Sequence, residues 1–171
     1  MTSIGPYTEK TNLSYMFEKQ DLRGPLPQIT ETHNSITYIL SNTSNFSKFT
    51  YILKLSKLDK MFSEPLSSFT IFAPIDEHLQ HITNNILINM DLLTARNIIL
   101  ASTLQNRITS DILEDSLNSY FNTLASSNRL YVTNYNDEII IDNNIKIIKE
   151  DINAVNGIIQ ATSGLVHPYI F

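Results

Sequence analysis

His78 and His81 stand three residues apart, just beyond Asp76 and Glu77, in the stretch SSFTIFAPIDEHLQH that begins at Ser67. On one helical face the two imidazoles could share a metal ion. A zinc site needs at least a third protein ligand, and no spacing in the chain supplies one. Both are therefore expected as surface or half-buried histidines. His167 precedes Pro168 behind an apolar run and reads as a chain-end residue. Serine, histidine and aspartate all occur, so a cryptic Ser-His-Asp hydrolase stays as an alternative, but there is no G-x-S-x-G elbow. Gly157 and Gly164 are isolated and form no phosphate cradle. Cysteine is absent, which removes disulfides, thiolate metal sites and cysteine nucleophiles together. No enzyme activity, cofactor or metal is expected.

The elements around these residues give them a structural purpose. Ser68 to Ala73 is β-branched and aromatic and reads as a strand. Within it Phe69 and Ile71 face one side, Thr70 and Phe72 the other. Large apolar groups on both faces predict a strand covered on both. Pro74 cannot donate to a ladder, so the strand should stop there. Asp76 is then expected to cap the helix that follows, with Glu77 in its first turn. Asn156-Gly157 reads as a tight turn with Gly157 at positive φ.

A chain of 171 residues, 42% of them apolar, suits one globular domain able to bury a core without metals or disulfides. Its net charge of −5 argues against nucleic-acid binding, and its densest basic group, Lys54, Lys57 and Lys60, fits the outside of a helix. No stretch is long enough to span a membrane. The N-terminus lacks the basic start and apolar core of a signal peptide. Asn12, Asn42 and Asn45 begin glycosylation sequons, which chance explains in a chain this rich in Asn and Ser.

Residues 1–30 read as an N-terminal extension broken by Gly5-Pro6 and RGPLPQ. From Asn34 the pattern is helical: Ile36, Ile39 and Leu40 share a face, with Thr32 or Asn34 as cap. Phe46, Phe49, Ile52, Leu53 and Leu55 mark a second helix. MDLLTARNIIL reads as a third, passing into a strand near Ile98 to Leu104. Thr109-Ser110-Asp111 starts a turn or short helix. RLYVTNY, EIIID and IKIIKE are strands joined by the hairpin signals NYNDE and DNN. GIIQATSGLVHP supplies a last strand ended by Pro168. Helices segregated from a run of strands indicate an α+β fold.

Two stretches in this order resemble the fasciclin (FAS1) domain family. FTIFAPIDEHL is similar to its first conserved box and INAVNGIIQATSGLVHP to its second, while RITSDIL resembles the turn between them. The resemblance covers residues 33–171 and implies twisted, antiparallel-rich β-sheets packed with a group of helices, with the domain set at 31–171. The motif positions that carry it include Phe69, Phe72, Pro74, Asp76, Asn156, Gly157 and Pro168. It implies a non-enzymatic adhesion or protein-interaction module at the cell surface or outside the cell, with an adhesion receptor or matrix-like protein as partner. A small-molecule or lipid-binding version of the domain is the main alternative. Ala101-Ser102 stand where the family has a Tyr-His pair, Gln160 where the second box has a histidine, and Ile75 where a hydroxyl residue follows the first-box proline. Asp151-Ile152 matches the place of an integrin-recognition pair in adhesive members: the carboxylate would complete a receptor-held divalent cation. Against this, Asp151 could simply end a strand by bonding nearby backbone N–H groups while Ile152 enters the core.

Overall fold

The computed structural model describes residues 34–126 and 128–166. The expected extension at 1–30, and with it His167 and Pro168, lie outside the described residues.

The chain enters through helix α1 (Ile36–Ser41), capped by Ser35, whose hydroxyl accepts the Tyr38 N–H at 3.1 Å. The cap is thus neither Thr32 nor Asn34. Helix α2 (Ser47–Ser56) follows a 3₁₀ turn and buries Phe49, Ile52 and Leu53, with Phe46 beneath its start. Strand β1 (Phe69–Pro74) comes next. Helices α3 (Asn84–Asn89) and α4 (Leu92–Ala101) are capped by Thr83 and Asp91. The run Ile98 to Ala101, expected as the start of a strand, completes α4 instead. Buried Ile98 and Ile99 face the helical core, and β2 is only Thr103–Gln105. Helix α5 (Ser110–Glu114) starts at a Thr109 cap. The remaining strands are β3 (Ser119–Asn122), β4 (Arg129–Tyr135), β5 (Glu138–Ile141), β6 (Ile145–Ala154) and β7 (Gly157–Thr162).

One seven-stranded mixed sheet runs β2-β1-β7-β6-β5-β4-β3 and curls into a nearly closed barrel. Its two edges approach at one bond, the Leu124 N–H to the Thr103 carbonyl at 3.0 Å. All neighbours are antiparallel except β1 and β7, which run parallel with Phe69 beside Gly157 and Pro74 beside Thr162. Hairpin residues Asn136, Asp137, Asp142 and Asn143 all have positive φ. Such left-handed pairs match the twist of the flanking strands, and Asn and Asp tolerate them best.

Two apolar clusters lie on opposite sides of β1. Phe69, Ile71 and Ala73 pack with Ile36, Ile39, Phe49, Ile52 and Phe62 in the helical layer. Phe72 points into the barrel with Leu104, Leu130, Val132, Ile139 and Ile141. Alternation along six buried residues therefore ties the two halves of the core together.

Candidate functional site

The corner after β1 is a clamp. Asp76 opens a three-residue 3₁₀ turn, Asp76–His78, and makes no capping bond there. It reaches back to α2, where its carboxylate accepts the Ser47 N–H at 3.2 Å, the Lys48 N–H at 2.8 Å and the Ser47 hydroxyl. The expected cap on the following helix is thus corrected. The 3₁₀ turn is too short to orphan a full set of donors, whereas α2 begins at Phe46 with no side-chain cap of its own. Lys48 completes the clamp by donating its ammonium to the Leu79 and Ile82 carbonyls at 2.9 and 2.7 Å.

Among the described residues, His78 and His81 build no common site. His78 lies on the 3₁₀ turn and His81 in the loop beyond it, both exposed and not on a shared helical face. Among the described residues, His78 Nε2 meets the exposed carboxylate of Glu77, at 3.9 Å. Among the described residues no three His, Asp or Glu side chains gather to hold a metal.

Asp151 sits inside β6 rather than at its end. The ladder between β6 and β7 slips between Lys149 and Ile152, and Asp151 takes φ +56° in the bulge. Its carboxylate accepts the Ser110 N–H at 2.9 Å, the Ser110 hydroxyl at 2.7 Å and the Gln160 amide at 2.9 Å. Gln160 is fully buried, takes the Asp151 N–H on its Oε1 at 2.9 Å and gives its Nε2 to the Ile108 carbonyl. Burial pushes the Asp151 carboxyl up, but the bonds from Ser110 and Gln160 outweigh it and hold the group below its ordinary range. Ile152 is buried in the helical core. The pair is thus held by the second-box glutamine and by the start of α5, a contact between residues far apart in sequence that no local pattern announces.

Asn156-Gly157 closes the β6–β7 hairpin and stitches four segments. The Asn156 Oδ1 accepts the Ile36 N–H at 2.9 Å, and its Nδ2 donates to the Phe62 and Glu64 carbonyls at 2.7 and 3.2 Å. Its backbone carbonyl takes the Phe69 N–H. Gly157 has φ +152°, and a Cβ there would lie 1.9 Å from the Phe69 carbonyl oxygen. Only glycine fits this close approach.

The outer face of β3 and β4 carries an aromatic group that sequence reading missed. Tyr120 pairs with Tyr131 across the strands, their ring centroids 4.9 Å apart, and the Arg129 guanidinium lies 4.2 Å from the Tyr120 centroid. Tyr120 is 56% and Tyr135 68% exposed. Alternation in RLYVTNY places Arg129, Tyr131 and Tyr135 on one face, while Leu130 and Val132 fill the barrel. The signal was present in β4, but β3, only four residues long and mostly exposed, had no apolar pattern to reveal it.

A helical layer on a curled mixed sheet, its segments joined by the polar clasps at Asp76, Asp151 and Asn156, defines an α+β scaffold of the FAS1 kind. The sequence model of the fasciclin domain matches residues 44–167, and the chain belongs to that family. Among solved structures it is similar to a FAS1 domain pair from the insect cell adhesion molecule fasciclin I. The TM-score is 0.65 at 18% identity, covering 77% of this chain and 50% of that one. The chain thus spans half the length of that pair, and the likeness shows the shared fold. A search of the curated proteins found no match.

Proposed function

We propose that this chain is a non-enzymatic protein-interaction module that binds a protein partner through the outer face of β3 and β4. Fasciclin domains are in general adhesion and interaction modules. The observation that carries the reading here is the preordered Tyr120–Tyr131–Arg129 stack, with exposed Tyr135 further along the same face of β4. Tyr and Arg are the residues most enriched at interface hot spots, and rings fixed on a sheet lose little freedom on binding. Among the described residues nothing comparable supports the hydrolase alternative: His78 and His81 are exposed, and the contact His78 makes is with the Glu77 carboxylate. Asp151, as a cation-completing ligand, would first have to leave Ser110 and Gln160, so the aromatic face is the better candidate.

The test is capture of proteins from cells and their surroundings, with cross-linking to map the contact. The wild type should retain a protein that a Tyr120→Ala/Tyr135→Ala variant loses at unchanged stability. An Asp151→Ala variant that still folds should retain it. Capture lost with Asp151→Ala but kept without the tyrosines would transfer the site to the β6 bulge. Wild type that captures nothing would remove the interaction reading.

A further inference from the structure

We infer that Asn156-Gly157 is a latent self-modification site: the native fold protects it from deamidation, and unfolding exposes it to a change that the fold cannot accommodate. It is the single Asn-Gly pair in the chain. Asn-Gly is the most reactive sequence for this chemistry because glycine leaves its peptide nitrogen unhindered. The Gly157 nitrogen attacks Asn156 Cγ, forming a C–N bond. The Cγ–Nδ2 bond breaks, and ammonia leaves with the proton from the Gly157 N–H. Water then opens the cyclic imide to aspartate or isoaspartate.

The folded chain opposes each step. Turning Cγ toward the Gly157 nitrogen requires breaking the bonds from Nδ2 to Phe62 and Glu64 and the bond from Ile36 to Oδ1. Asn156 is 1% exposed, so bulk water is excluded from the ring-opening step. Gly157 is fixed in register with Phe69 at the start of β7. All three obstacles vanish together on unfolding.

The products do not fit the site. An aspartate carboxylate would face the Phe62 and Glu64 carbonyl oxygens with no hydrogen to donate, an arrangement of unpaired buried acceptors. Isoaspartate lengthens the main chain by one carbon in a turn where even a Cβ at the next residue would fall 1.9 Å from the Phe69 oxygen. A chain that has stayed unfolded long enough to react therefore cannot return to the native state.

The full chain would be incubated at mildly alkaline pH, folded and in guanidinium chloride, and position 156 followed by peptide mapping that separates aspartate from isoaspartate. Conversion should be about a hundredfold or more faster in denaturant, the ratio reflecting the opening equilibrium of a buried segment. Exposed Asn118-Ser119 serves as internal reference and should differ far less between the two conditions. On dilution from denaturant, converted chains should be missing from the refolded fraction. Equal conversion at 156 in both conditions would overturn the protection. Converted chains refolding with an unchanged midpoint would overturn the incompatibility.

Discussion

Replacing Asp76 with alanine tests the clamp between the end of β1 and the start of α2. The carboxylate serves two backbone N–H groups and one hydroxyl, all on Ser47 and Lys48. Loss of a helix N-cap costs about 0.5–2 kcal/mol. Ser47 is exposed, so water recovers part of the loss at that residue, while Lys48 is half-buried and recovers less. The expected cost is about 1–2 kcal/mol, or a fall of roughly 2–8 °C in melting temperature for a chain of this size. Urea unfolding should show a lower midpoint at unchanged slope. Hydrogen exchange should quicken at the Ser47 and Lys48 amides and not at His78 or Leu79. In a double-mutant cycle with Ser47→Ala, the pair should couple by about 0.5–1 kcal/mol through the hydroxyl–carboxylate bond. Strict additivity, with faster exchange confined to 77–79, would refute the clamp and restore Asp76 as a cap on its own turn.

Phe72→Ala should cost about 3–5 kcal/mol in denaturant, because the ring is fully buried among barrel residues that cannot collapse around the gap; an unchanged midpoint would contradict this. Asp151 is held below its ordinary carboxyl range, so its contribution is present above the unfolded value and lost as pH falls through the folded one. Asp151→Asn should flatten that acid-side loss in stability measured against pH. Asp142 behaves oppositely: burial raises its carboxyl despite the bond from the Tyr131 N–H, so its contribution is full below the ordinary value and lost as pH rises through the folded one. Asp142→Asn should remove that decline. Deleting residues 1–28 should leave the melting temperature nearly unchanged, since that stretch has no periodic apolar face; a loss of many degrees would make it part of the domain.

What could be read in advance was whatever the chain states locally. The two-sided burial of β1 followed from alternating Phe69, Thr70, Ile71 and Phe72, and the hairpins at Asn136-Asp137 and Asp142-Asn143 from their turn residues. Ile98 to Ala101 misled because a short apolar run fits a buried strand and a buried helix equally. Long-range pairing left no local trace. Asp76 looked like a cap, but which helix it caps depends on where the end of β1 sits in space. Asp151 looked like a strand end, but its bulge is set by Gln160 and Ser110. The parallel alignment of β1 with β7 is likewise invisible in either strand alone.

That alignment also fixes when the domain can assemble. β7 lies between β1 and β6 and is the strand that joins the first half of the sheet to the second. The bond from Ile36 to Asn156 spans 120 residues, and that from Asn156 to Phe62 spans 94. During synthesis, the helices and β1 must wait with one side of the strand unpaired until β7 emerges. Closing such distant contacts is slow, and a waiting strand edge invites pairing with other chains. Pro74 at the tip of β1 and the charged groups just beyond it, Asp76 and Glu77, stand where they would discourage that pairing during the wait.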